Sequence, residues 1–84
     1  MVKVKLFGLL RLDTGLRELE LEAKTVRELY PQLLEAAHRA NPAAALSMRD
    51  IRGCIISVNG KSARKSTRLA PGDTVMLFSP ACGG

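Results

Sequence analysis

The chain has 84 residues, 46% of them apolar and 25% charged, and a net charge of +5 at neutral pH. A chain this short buries only about 60–65% of the surface its unfolded form exposes, which suits one hydrophobic core and leaves little room for a deep catalytic cleft. The composition excludes disordered and collagen-like chains, and no apolar run approaches the roughly 18 residues that a membrane-crossing helix needs. The opening MVKVKLFG sets its charges inside a strand-like alternation rather than ahead of an apolar block, so no leader or membrane association is expected and the location expected is cytoplasmic. Cys54 and Cys82 lie far apart and lack CxxC or Cys/His ligand spacing, so neither a disulfide framework nor a metal site is indicated.

The positive charge is unevenly placed. Residues 51–72 hold Arg52, Lys61, Arg64, Lys65 and Arg68 with no Asp or Glu among them. Such a stretch is a solvated face, a surface for an acidic protein partner, or a nucleic-acid surface. The last would require aromatic stacking partners among the basic residues, and the stretch has none, so no nucleic-acid partner is expected.

In chain order, Val2, Val4 and Leu6 alternate with Lys3 and Lys5, which predicts a half-buried strand over residues 2–7. Asp13-Thr14-Gly15 is turn chemistry, after which Leu19, Leu21 and Ala23 alternate with Glu18, Glu20 and Glu22. This predicts a second strand pairing with the first as a hairpin, its outer face acidic. Thr25 followed by Glu28 reads as a capping box opening a helix. Val26, Leu29, Tyr30, Leu33, Leu34 and Ala37 then form one apolar stripe at helical spacing. Pro31 is the misfit, because an interior proline costs about 3 kcal/mol outside the first turns. It predicts a slightly kinked helix, ending near Asn41-Pro42.

Residues 43–52 read as a short helical turn plus a loop, anchored by Leu46 and Ile51. Residues 54–58 form a strand rich in β-branched side chains, and Asn59-Gly60 is a strong hairpin signal because both residues tolerate positive φ. Residues 61–65 should return as a short polar edge strand. Ala70-Pro71-Gly72-Asp73 is a β-turn, and residues 74–79 form the last strand, stopped by Pro80. Residues 81–84, Ala-Cys-Gly-Gly, carry too little side-chain area to pack and are expected to form a flexible tail behind a single domain of residues 1–80.

These features together resemble the ubiquitin-like sulfur carriers (MoaD/ThiS-like), and most closely the small subunit of molybdopterin synthase. The residues that carry the resemblance are the opening VKVKLFG, the helix start TVREL, the Val58-Asn59-Gly60 hairpin, the Pro71-Gly72-Asp73 turn and the closing VMLFSPACGG. The fold implied is α+β, a β-grasp with a mixed sheet of four to five strands packed on one main helix and a C-terminal Gly-Gly tail. The thiamine-pathway carrier is similar but usually lacks the segment found here at residues 40–53, so length favours the molybdopterin branch. Ubiquitin-like modifiers conjugated to lysines share the same fold and tail. A terminal glycine pair arises by chance in about one chain in 200 at glycine usage of about 7%. It is therefore the combination with a final strand and Pro80 that makes the ending informative.

The resemblance implies a division of labour. The α-carboxyl of Gly84, with a reference pKa of about 3.5, is a carboxylate at neutral pH and a poor acyl donor. A ubiquitin-activating-type enzyme would use ATP to adenylate it, and a sulfur donor such as a cysteine desulfurase or rhodanese would displace AMP to leave a thiocarboxylate, 1-thioglycine at position 84. Gly83 serves access, since a Cβ would widen a tail that must thread a narrow channel. The thiocarboxylate would then serve the large subunit of molybdopterin synthase. No bound cofactor is implied. With one histidine, no glycine-rich phosphate loop and no clustered carboxylates, the chain lacks the parts of a catalytic site of its own.

Four further residues carry open readings. Cys82 is either a tolerated small side chain or an accessory thiol beside the activated carboxyl. Phe7, Met76 and Phe78 are either core or an exposed patch for docking a partner, because strand parity alone does not say which sheet face the helix covers. Cys54 reads as a small core hydrophobe and His38 as a last-turn residue off the apolar stripe.

Overall fold

In a computed structural model that describes residues 1–79, the first strand is β1, Val2–Phe7, with Val2, Val4 and Leu6 buried as the alternation requires. The chain does not turn straight into a hairpin. It winds into a short helix α1, Leu9–Thr14, closed by Gly15 in the left-handed conformation. The predicted Asp13-Thr14-Gly15 hairpin turn is thus corrected to a helix C-terminus. Two interactions explain the change: Leu10 is buried in the core, and Thr14 donates its hydroxyl to the Leu10 carbonyl at 2.8 Å while accepting the Leu16 N–H at 3.1 Å. The second strand, β2, Glu18–Leu21, still pairs antiparallel with β1, Val2 opposite Leu21 and Lys5 opposite Glu18.

The capping box expected at Thr25 is also corrected. A 3₁₀ turn, Val26–Glu28, precedes the main helix α2, Leu29–Ala40. The Glu28 carboxylate reaches back to the Lys24 N–H (3.2 Å) and the Thr25 hydroxyl (3.4 Å), and the Thr25 side chain caps no amide. Pro31 falls third in α2, within the first turn, where a missing N–H forfeits no intrahelical bond. The change from 3₁₀ to α geometry accommodates it. Leu29, Tyr30, Leu33 and Ala37 are buried, as the stripe predicted, and Leu34 is half-buried.

A second short helix, α3, Met48–Arg52, lies in the segment read as a helical turn, and its Ile51 is fully buried. Its start carries the carboxylate cap that sequence spacing had assigned to Thr25: Asp50 accepts the Ser47 N–H at 2.8 Å and the Ser47 hydroxyl at 3.0 Å. Those bonds hold the Asp50 carboxyl below its ordinary pKa. Strands β3, Ile55–Val58, and β4, Lys61–Ser62, follow, joined through Asn59 (φ 52°) and Gly60 (φ 83°), both in the positive-φ region that a two-residue turn requires. The predicted edge strand of residues 61–65 is shorter than expected. From residue 65 the chain instead runs beside the start of α2, with Val26 N–H to the Thr67 carbonyl at 3.0 Å, Arg27 N–H to Lys65 at 2.9 Å and Leu69 N–H to Lys24 at 2.8 Å.

The last strand, β5, Thr74–Phe78, lies parallel to β1 and antiparallel to β3. The five strands are ordered β2-β1-β5-β3-β4, so β5 is central. One face of this sheet, with Val2, Val4, Leu6, Ile56, Val75 and Leu77, packs with the buried residues of α2 and α3 into a single core. Each fully buried aliphatic side chain in it contributes about 1.5–3 kcal/mol. Among the described residues, no helix is long and apolar enough to cross a membrane.

Candidate functional site

The chain leaves the sheet from the middle, and the exit point is held in place. Ser79, directly after β5, donates its hydroxyl to the Phe7 carbonyl at 3.3 Å and accepts the Leu10 N–H at 3.2 Å, joining the end of β5 to the start of α1. Gly8 makes room for this: it has a φ of 71°, and a Cβ there would stand 2.5 Å from Ser79 Oγ. Pro80, Ala81, Cys82, Gly83 and Gly84 lie outside the described residues, so the expected tail, its acceptor Gly84, spacer Gly83 and thiol Cys82 are represented here only by their fixed origin.

Beside that origin lies the sheet face that, among the described residues, no helix covers. Register places Phe7, Phe78 and Ile55 in one row across β1, β5 and β3, and Lys5, Met76 and Ser57 in the next. Phe7 and Phe78 stack with ring centroids 4.8 Å apart and planes 12° from parallel, a favourable aromatic arrangement. Phe78 is 38% and Ile55 64% exposed, while Phe7 and Met76 are half-buried. Farther from the exit the face turns polar, with Lys3 and Lys5 opposite Glu20 and Glu18 on β2 and a Lys3–Glu18 ion pair of 3.9 Å. The apolar part of the face therefore adjoins the point where the chain leaves.

Of the two readings open for Phe7, Met76 and Phe78, the structure selects the outer face and brings the three together. Ile55, the most exposed member of the row, was missed by sequence reasoning. The available signal was parity, since Ile55 and Ile56 are adjacent in one strand and only one can enter the core. Cys54 is buried at the end of α3, where its thiol donates to the Asp50 carbonyl at 3.5 Å and burial pushes its pKa up, so it is a poor nucleophile. His38 Nε2 lies 2.8 Å from the Leu46 carbonyl, tying the end of α2 to the loop before α3. Among the described residues, no group of three or more His, Cys, Asp or Glu side chains could hold a metal.

A five-strand mixed sheet with its first and last strands parallel at the centre and one long helix across one face is the β-grasp, or ubiquitin-like, fold. The chain belongs to the ThiS family, whose model it matches over residues 4–84, and so to the ubiquitin-like sulfur carriers. A search of curated proteins gives no match. Among solved structures, it is similar to SAMP1 from Haloferax volcanii, at 26% identity over 99% of this chain and 98% of that one, with a TM-score of 0.65. It is also similar to the complex of subunits 1 and 2 of the molybdopterin-converting factor from Helicobacter pylori, at 25% identity over 99% and 97%, TM-score 0.61. The BexX/CysO complex from Amycolatopsis orientalis shares the fold at 22% identity over 100% of both chains, TM-score 0.63.

Proposed function

We propose that this chain carries sulfur on Gly84 as the small subunit of molybdopterin synthase. An adenylating enzyme of the ubiquitin-activating type joins the Gly84 carboxylate to the AMP portion of ATP, releasing pyrophosphate. The outer persulfide sulfur of a desulfurase- or rhodanese-type donor then displaces AMP to form an acyl disulfide. A second thiol attacks the donor-side sulfur, forming a disulfide with the donor cysteine and releasing the thiocarboxylate. The large subunit receives the tail and uses the terminal sulfur, with the stacked Phe7 and Phe78, together with Met76 and Ile55, as the surface on which it docks. The chain itself supplies the handle and its aim, and catalysis belongs to its partners.

The observation that carries this reading is the family match running through Gly84, on a strand whose exit is tied by Ser79 beside an uncovered apolar face. The similarity to a molybdopterin-converting factor complex supports the choice of pathway. Incubation with the cognate activating enzyme, ATP and a sulfur donor should raise the intact mass by the difference between a sulfur and an oxygen atom. An unchanged mass, together with normal complexes after deletion of Gly83 and Gly84, would overturn it.

The similarity to SAMP1, a small archaeal modifier protein, favours a second reading in which Gly84 is linked to lysines of target proteins. That reading requires adducts in cell extract that survive reducing agent and leave a Gly-Gly remnant on the target. A thiazole-forming partner in place of the large subunit would instead mark the thiamine route.

A further inference from the structure

The basic stretch around Lys61–Arg68 takes no part in the sulfur chemistry, but folding brings one of its cations to a defined place. Arg27 on the 3₁₀ turn, Tyr30 in the first turn of α2, Arg52 at the end of α3 and Lys65 on the loop after β4 line a hollow of about 300 Å³. Lys65 is fixed there by two features. The Arg27 N–H donates to the Lys65 carbonyl at 2.9 Å, and residues 64–67 form a tight turn closed by Thr67 N–H to the Arg64 carbonyl (3.0 Å) and Arg64 N–H to the Thr67 hydroxyl (2.9 Å).

Three cations thus converge from three separate segments, and among the described residues none has a carboxylate within 4 Å. The nearest acid in sequence, Glu28, turns its carboxylate to the Lys24 N–H and the Thr25 hydroxyl. Tyr30 is the second element. Its ring is in the core and the residue is only 6% exposed, yet its hydroxyl has no hydrogen-bond partner among the described residues and the side chain lines the hollow. Like charges gathered without a counter-charge repel one another, and the Tyr30 hydroxyl, which is not a buried orphan, is open to solvent and free to donate to a ligand in the hollow. An anion placed there relieves the repulsion and accepts from the hydroxyl.

We infer that this hollow is an oxyanion site that holds the phosphate group of a small ligand between Arg27, Arg52, Lys65 and the Tyr30 hydroxyl. Phosphate fits better than its rivals for three reasons. A single carboxylate would neutralise one of the three cations, whereas a phosphate monoester carries close to two negative charges and three acceptor oxygens for the guanidinium forks, ammonium and hydroxyl. A nucleic-acid strand needs an aromatic face for stacking, and the only ring here is buried with its edge hydroxyl outward. An acidic protein surface matches a broad flat patch, whereas these four side chains line an open hollow of about 300 Å³, room for a phosphate group and a small part of the molecule that carries it.

The test is amide-resolved NMR of the full chain at constant ionic strength, titrated separately with inorganic phosphate, glycerol 3-phosphate, a glutamate-rich peptide and a short RNA. Saturable shifts at Arg27, Tyr30, Arg52 and Lys65 are expected with the phosphate probes. Tighter binding of the ion identifies free phosphate as the source, and tighter binding of the ester identifies an organic phosphate. Arg52→Gln with Lys65→Gln should weaken binding by about tenfold or more, the scale of one lost charged hydrogen bond, with thermal stability preserved because both residues are exposed. Tyr30→Phe, which keeps the ring in the core, should weaken it by a smaller factor. The proposal is overturned by shifts spread equally over Lys61, Arg64 and Arg68, by undiminished affinity in the double variant, or by tighter binding of the peptide or RNA at the same amides.

Discussion

Gly8 and Ser79 are separated by most of the chain yet meet where β1 ends and β5 stops, so a single methyl group there has a defined cost. Gly8→Ala places a Cβ 2.5 Å from Ser79 Oγ and forces a side chain onto a φ of 71°. A loss of about 1–3 kcal/mol is expected from backbone strain of this kind, read as a lower midpoint in urea unfolding with unchanged slope. Adding Ser79→Ala should relieve the 2.5 Å contact but leave the φ strain and the 3.3 Å approach to the Ser79 carbonyl. It also removes the two hydrogen bonds of the Ser79 hydroxyl, so the double variant should recover only part of the loss. Two aspartates set a second expectation. Asp73 accepts the Ala70 N–H at 2.8 Å and the Asn59 side-chain amide at 2.9 Å, tying the β-turn at residues 70–73 to the hairpin turn. Those bonds, led by the one from Ala70, lower the Asp73 pKa, as the Ser47 bonds do for Asp50. A folded-state value below the unfolded one means that the unfolded chain takes up protons first. The stabilisation is therefore complete above the ordinary aspartate value of about 3.9 and is lost as pH falls through it toward the folded value. Melting temperature should drop across that window. In Asp73→Asn, which retains one acceptor oxygen for two donors, the starting value should be lower and the acid-side slope shallower.

At the scale of elements, β3 shows how one strand serves two faces. Ile56 is 5% exposed in the core, whereas its neighbour Ile55 points outward beside Phe78. Ile56→Ala should therefore cost about 2–5 kcal/mol through the cavity it leaves. Ile55→Asp should change stability by no more than about 0.5 kcal/mol, as surface substitutions usually do. On the proposed function, only the second should sharply weaken the complex with a large subunit, measured by titration calorimetry of the purified pair. Helix α3 follows a related logic: five residues are too few to be stable alone, and its place is held by fully buried Ile51 and the Asp50 cap.

For the molecule as a whole, every member of the core cluster among the described residues lies between Val2 and Leu77. Deleting Gly83 and Gly84 should therefore leave the melting temperature unchanged while abolishing the mass increase on activation, which separates fold from function in one variant. The faces of the molecule also divide the chemistry. The uncovered apolar sheet face adjoins the exit of β5, whereas the basic hollow forms where the start of α2, the end of α3 and the loop after β4 come together. Charge substitutions at Arg52 and Lys65 should accordingly leave sulfur loading intact.

The sequence alone determined the strand alternation of residues 2–7, the apolar stripe of α2, the Asn59-Gly60 and Pro71-Gly72 turns and the Gly-Gly ending, because each rests on local chemistry or on a short period along the chain. It misread the path between the first two strands and the cap of the main helix, since Asp13-Thr14-Gly15 and Thr25/Glu28 each suit more than one local geometry and burial of Leu10 and pairing with residues 65–69 decided between them. Which sheet face Phe7, Met76 and Phe78 occupy, the contact of Gly8 with Ser79, and the meeting of Arg27, Arg52, Lys65 and Tyr30 were decided only by the tertiary structure. Each of these depends on the parallel pairing of β1 with β5 or on segments distant in the chain, and such contacts leave no period in the sequence to be read.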